Sequence, residues 1–187
     1  RSDPEVLAYL KAEHAYSEAA LSHTAQLQHS LYQEILQSLP AQPIAVPTRR
    51  NGYWYDSHYE AGAEYPVHTR RREVPDASLE ILLSEEELAA DAVYFELGGY
   101  AVSPDNRLLA YTVDTRGRGL YELRVRDIGT GRELADVLYG VEPYLAWAND
   151  NQTLFYVHQD PVTLAGNRVF RHRLGTAQQN DVLVYEE

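Results

Sequence analysis

The sequence predicts a mainly β chain with an N-terminal α-helical extension, its strands forming part of a β-propeller. Two observations carry this. The block Ala101-Val102-Ser103-Pro104-Asp105-Asn106-Arg107-Leu108-Leu109-Ala110-Tyr111 recurs in edited form as Ala146-Trp147-Ala148-Asn149-Asp150-Asn151-Gln152-Thr153-Leu154-Phe155-Tyr156, with Asp105 and Asp150 45 residues apart. Short apolar strands joined by Asp/Asn turns at such a period are the sequence mark of propeller blades. The first 40 residues differ in kind, because between Pro4 and Pro40 there is neither Gly nor Pro and apolar side chains fall at helical spacing.

In that first stretch, taken as residues 1–40, Ser2-Asp3-Pro4-Glu5 supplies a cap candidate, Pro at the first helical position and an early carboxylate. Val6, Tyr9, Leu10 and Tyr16 mark one helix, and Leu27, Leu31, Tyr32, Ile35, Leu36 and Leu39 a second. The break is expected near Ser22-His23-Thr24, with Thr24 capping the second helix. Pro40, Pro43 and Pro47 then form an extended connector.

Residues 41–187 are read as about three four-stranded blades, at approximately 48–84, 94–140 and 141–187. The second and third follow from the repeat, which continues as Leu123–Thr130 against Val169–Thr176 and closes on Asp136-Val137-Leu138-Tyr139 against Asp181-Val182-Leu183-Val184. Each has a leading strand, a strand ending at an acidic residue (Asp114, Asp160), an alternating strand and an outer strand. Tyr121, Leu123 and Val125 alternating with Glu122, Arg124 and Arg126 give the period of a strand buried on one face. Ser103-Pro104-Asp105-Asn106 and Asn149-Asp150-Asn151 carry turn chemistry. The first blade is more diverged, with strands at Arg50–Asp56 and Tyr65–Arg71 and a closing Ile81-Leu82-Leu83.

Three blades do not close a ring, which takes roughly 4 to 8. The chain has no Met, so it reads as an internal segment of a longer protein, poorly stable or self-associating when isolated. A formal net charge of −12 argues against nucleic-acid binding, which needs a basic surface. Arg49-Arg50 and Arg70-Arg71-Arg72 are read as solvated or interdomain edges. With no Cys there is neither a disulfide framework nor thiol chemistry, and no apolar run is long enough to span a membrane. A soluble, cytoplasmic protein is the default.

Signs of chemistry are few. No serine sits in the Gly-x-Ser-x-Gly turn that exposes a hydrolase nucleophile. His23, His29, His158 and His172 lack the spacing of a metal site, so no metal and no cofactor are expected. Ser84-Glu85-Glu86-Glu87-Leu88 could hold a cation but reads better as a capping box opening a short helix. Tyr53, Trp54, Tyr55 and Tyr59 could stack a ligand but are better placed as packing residues. Gly98-Gly99 lacks a dinucleotide fingerprint and is assigned to a turn or a close backbone approach. Asp105, Asp114 and Asp160 recur by position, which ties them to turn geometry.

Several blocks together resemble a known family. Asp3–Glu13, Arg50–Tyr55, Tyr94–Gly99, Val102–Asn106, Trp147–Asp150, Leu154–Val157, His172–Thr176 and Asp181–Glu187 are similar to the oligopeptidase B branch of the prolyl oligopeptidase family of serine peptidases. The resemblance implies a helical extension leading into a seven-bladed propeller, followed by a C-terminal α/β-hydrolase domain that this chain does not include. It also implies hydrolysis of short peptides after Lys or Arg, with the propeller as a size filter. The Ser, Asp and His triad and oxyanion hole would act by acyl transfer from that other domain, so no catalytic residue falls in this chain. The implied partners are the hydrolase domain, against which the first helices would pack, and short basic peptides. Two alternatives stay open: a non-catalytic propeller-type interaction module, and a peptidase of the same family with another specificity, for instance after proline.

Overall fold

A computed structural model describes residues 3–39 and 46–187. The proposed capping role of Ser2 and the connector prolines Pro40 and Pro43 lie outside the described residues. The chain divides into two compact units, Arg1–Pro43 and Ile44–Glu187. The first contains α1 (Pro4–Leu21), a 3-10 turn over Ser22–Thr24 and α2 (Ala25–Ser38). Asp3 caps α1, its Oδ1 accepting the amides of Glu5 at 2.9 Å and Val6 at 3.5 Å, with Pro4 in the first turn. The break falls where the sequence places it, but Thr24 does not cap α2. The backbone stays helical through the turn and the Ala25 amide already bonds to the Ser22 carbonyl. The Thr24 hydroxyl instead donates to the Leu21 carbonyl at 2.7 Å and accepts from Gln28 Nε2 at 2.7 Å. Neither helix buries a residue, so Leu10, Leu27, Leu31, Ile35 and Leu36 all stand exposed.

The second unit is all antiparallel. One sheet orders β1 (Thr48–Arg50), β2 (Tyr53–Tyr59), β3 (Pro66–Arg72) and β4 (Leu79–Ser84). After α3 (Glu85–Ala89), β5 (Glu96–Val102), β6 (Leu108–Asp114), β7 (Tyr121–Asp127), β8 (Glu133–Trp147), β9 (Thr153–Gln159), β10 (Gly166–Arg173) and β11 (Val182–Glu186) form one seven-stranded ladder. The sequence-expected boundary at 140/141 falls inside β8. The leading half of this strand pairs with β7, as in Leu138 with Leu123, and the trailing half with β9, as in Trp147 with Leu154. The change of partner is accommodated by Gly140 at φ 65° and a register shift between Val141 and Leu145.

Strand β6 is the centre of the packing. Its odd residues Leu109, Tyr111 and Val113 join Tyr53, Tyr55, Leu82, Leu83 and Phe95 in one core. Ala110, on the opposite face, joins Leu123, Val125, Leu138, Leu154 and Tyr156 in another. Buried on both faces, β6 reads as a nearly continuous apolar run, whereas β7 keeps the alternation the sequence predicts, with Tyr121, Leu123 and Val125 buried. Full burial of each Leu is worth about 1.5–3 kcal/mol.

Polar ties brace the repeat units and recur by position. Arg126 Nε lies 2.6 Å from Glu133 Oε1, which also accepts the Tyr111 hydroxyl at 2.8 Å. One repeat later, His172 takes the place of Arg126 and Tyr156 that of Tyr111, both meeting Asp181 at 2.7 and 2.9 Å. His172 is fully buried and its other nitrogen lies 3.1 Å from Asp136 on β8, so one ring joins that strand to the residue preceding β11. Asn51, Asn106 and Asn151, all at positive φ, join successive turns. Asn51 Nδ2 donates to the Pro104 carbonyl at 2.7 Å, and Asn151 Oδ1 accepts the Asp105 amide at 2.9 Å. Trp147 Nε1 donates to the Ala101 carbonyl at 2.9 Å.

Of the arginine runs only Arg70 departs from the solvated-edge reading, while Arg49, Arg50, Arg71 and Arg72 are exposed. Arg70 is 4% exposed, its guanidinium lying 4.2 Å from the Tyr53 ring centroid and its Nε 2.8 Å from Glu80. The ring face and the carboxylate offset the buried charge in part, with Nη1 left without a partner. Arg49 pairs with Glu73 and Arg72 Nε donates to the Tyr53 hydroxyl.

Gly98 lies within β5, at a close approach and not in a turn: a Cβ there would meet Tyr121 at 2.6 Å, Pro143 at 2.7 Å and Thr112 at 2.8 Å. Gly98→Ala is expected to cost about 1–3 kcal/mol by overpacking, read as a shift in the urea midpoint. Burial, with the hydrogen bond to Glu133, pushes the Tyr111 hydroxyl up to about 12. The neutral phenol is the form the fold favours, so this stabilisation is complete below the ordinary value of 10 and is lost as pH rises towards 12. Tyr111→Phe should therefore flatten the fall in unfolding free energy across that window, measured by urea titrations at each pH.

Candidate functional site

A group of polar and charged side chains left unused by the packing lies at the β6–β7 hairpin. Asp114 closes β6 at 1% exposure, and its carboxylate accepts four backbone amides of the loop that follows. Oδ1 takes Arg116 at 2.8 Å and Gly117 at 3.1 Å, and Oδ2 takes Arg118 and Gly119 at 2.7 Å each. Gly117 and Gly119 sit at φ 63° and 66°, a backbone that glycine adopts without a steric penalty. The loop is thus pinned through its main chain alone. The side chains of Arg116 and Arg118 are exposed, and among the described residues neither guanidinium has a hydrogen-bond or ion-pair partner.

Beside this loop a cleft of about 320 Å³ opens between the second and third repeat units. Arg116, Arg118, Tyr121, Tyr139, His158 and Gln159 are among its lining residues. Burial first, and then the nearby Arg168, hold His158 below its ordinary value, and Arg168 Nη2 lies 3.2 Å from His158 Nδ1. The imidazole is therefore set to accept from Arg168. Burial, then a hydrogen bond to Glu96, pushes the Tyr121 hydroxyl up to about 12, so it stays a neutral phenol. No nucleophile here is paired with a base. The arrangement can bind, orient and donate to an anion.

The other sequence candidates are structural. Glu85 is buried and pairs with His68 at 2.6 Å, Glu86 accepts the Tyr65 amide at 3.1 Å, and Ser84 Oγ accepts the Glu87 amide at 3.3 Å. Tyr53 and Tyr55 lie in the core, with Trp54 half-buried on the opposite face and Tyr59 half-buried at the end of the strand. Asp105 accepts from Ser103 Oγ at 2.6 Å and the Arg107 amide at 3.2 Å, and Asp160 accepts the amides of Val162 and Thr163 at 2.8 Å, as turn residues do. His23 and His29 are exposed on the helical unit, while His172 is consumed by its two carboxylates. No group of three or more His, Asp or Glu among the described residues is placed to hold a metal. No helix among them is long and apolar enough to cross a membrane. Sequence reading alone missed the arginine loop as a site. Its signal is Asp114 followed by Arg116-Gly117-Arg118-Gly119, where glycines alternate with cations.

Residues 1–187 match the family described as prolyl oligopeptidase, N-terminal beta-propeller domain. The chain belongs to that family. A dipeptidyl aminopeptidase BI of Pseudoxanthomonas mexicana is 41% identical across the whole chain, which covers 28% of that protein. Protease 2 of Moraxella lacunata is 27% identical across the whole chain, again covering 28% of the relative. Among solved structures, oligopeptidase B from Leishmania major superimposes with a TM-score of 0.91 at 27% identity, over 100% of this chain and 26% of that one. The chain thus spans about a quarter of the length of the relatives it matches and corresponds to the family's N-terminal propeller region.

Asp114→Ala would leave four loop amides without their acceptor. Because hydrogen bonds to a charged group are worth about 1.5–3 kcal/mol each, the loop should lose its fixed course. Trypsin cleavage after Arg116 and Arg118 is expected to accelerate in this variant under native conditions, read by mass spectrometry of the early fragments.

Proposed function

We propose that this chain is the N-terminal and propeller part of an oligopeptidase B-like serine endopeptidase that hydrolyses short peptides after Lys or Arg. In this reading the propeller is a size filter over the active site, and the partner is a C-terminal α/β-hydrolase domain of the same protein, in the cytoplasm. The observation that carries it is the TM-score of 0.91 to an oligopeptidase B over the full chain. Two unburied helices bearing Leu10, Leu27, Leu31 and Ile35 fit a surface meant to be covered by such a domain.

The 41% identity to a protein named dipeptidyl aminopeptidase BI favours a second reading within the same family, in which the protein releases dipeptides from a free N-terminus. The test is hydrolysis by the protein expressed from the complete reading frame. An arginyl amide with a blocked N-terminus should be cleaved if the first reading holds, and only its unblocked dipeptidyl counterpart if the second does. Cleavage solely after proline points to the third specificity. No hydrolysis at all returns the chain to a binding module. The 187-residue chain alone should be inactive in every arm.

A further inference from the structure

The Arg116–Arg118 loop and its cleft hold a pattern of polar groups that no structural role accounts for. The two guanidiniums are exposed and unpaired in a chain of net charge −12, although an acidic chain offers carboxylates in plenty. Their backbone is fixed in advance by Asp114, so a ligand would bind without the cost of ordering the loop. The nearby carboxylates are already engaged: Asp114 by its four amides, and Glu122 by Arg124 at 2.9 Å. His158 is held neutral. The guanidiniums of Arg116 and Arg118 are therefore the uncommitted charged donors of a lining that also holds Asp114 and Glu122. In the corresponding cleft between the first two units two of the three arginines are engaged, Arg70 by Glu80 and Arg72 by the Tyr53 hydroxyl.

The cleft wall supplies a second kind of group. Gln159 Nε2 donates to the Leu164 carbonyl at 3.0 Å, but its Oε1 is buried and unpartnered, the one side-chain acceptor in that condition among the described residues. That oxygen is sealed from the cleft, so Gln159 braces the wall through its bond to Leu164 and leaves ligand contact to its neighbours. Tyr121, Tyr139 and Pro161 provide apolar surface between these polar groups. A ligand that fits presents a carboxylate and an apolar stem together.

We infer that the cleft between the second and third repeat units binds a carboxylate of a short peptide, with Arg116 and Arg118 as its donors. The inference rests on the peptidase reading above and deepens it, since it makes peptides with a free carboxylate within reach of the cleft preferred substrates. A terminal carboxylate and an acidic side chain share this chemistry, and the experiment separates them.

The protein from the complete reading frame is assayed with three short peptides of one sequence, ending in a free acid, in an amide, and in an amide with glutamate as the last residue. The acid should have a KM about ten- to a hundredfold below that of the amide, the range set by charge-assisted hydrogen bonds. In Arg116→Gln/Arg118→Gln the ratio of the two KM values should fall towards one, while Arg171→Gln, an exposed arginine on β10, should keep the wild-type ratio. Recovery of a low KM by the glutamate peptide assigns the site to side-chain as well as terminal carboxylates, and no recovery assigns it to the terminus. A wild-type ratio near one, or a ratio unchanged in the double variant, overturns the inference while leaving peptidase activity standing. Failure to cleave any of the three peptides overturns the peptidase reading itself.

Discussion

Two-sided burial of β6 is the constraint on which the β unit depends. A strand with Leu109, Tyr111 and Val113 on one face and Ala110 and Thr112 on the other needs a sheet on each side. The first sheet supplies Tyr53, Tyr55, Leu82 and Leu83, and the third repeat unit supplies Leu154 and Tyr156. Blades packed face to face follow from that requirement, and so does the need for Gly98, where Tyr121 and Pro143 close in on β5. Because interiors are packed to crystal-like density, the close fit there leaves no room for a methyl group.

Around that packing, acidic residues do two jobs that the sequence makes look alike. On outer strands they face cations and phenols, as Glu133 faces Arg126 and Tyr111, and Asp181 faces His172 and Tyr156. At strand ends they gather backbone amides, as Asp114, Asp150 and Asp160 do. Only at Asp114 does the second job leave cations free, because the residues it organises are themselves arginines. The candidate site is thus a by-product of turn chemistry placed beside a cleft.

Much of the fold was legible because period and turn chemistry are local. The alternation of Tyr121, Leu123 and Val125 and the Ser103-Pro104-Asp105-Asn106 turn appear as the residues predict. What stayed hidden depends on partners distant in sequence. Arg70 looked like part of a charged edge because the Tyr53 ring that shelters it comes from another strand. His172 could be read only as a surface or packing histidine, since Asp136 lies 36 residues away. Thr24 looked like a cap because its residue type suits one, but the backbone never left the helical region. The arginine loop was unreadable for a related reason: that its side chains lack partners is a property of three-dimensional surroundings, which no run of residues states.

The shared strand β8 also has a mechanical meaning. The second and third units are joined by an unbroken length of backbone, by the Asp136–His172 contact and by the Trp147 bond to Ala101. The first sheet meets the second through side-chain packing, the Asn51 bonds and a linking segment that includes α3, with no strand in common. Two blades welded by a continuous strand move as a single plate, whereas two that merely rest on one another form a joint. The first seam is therefore the one with no continuous strand to resist a shear.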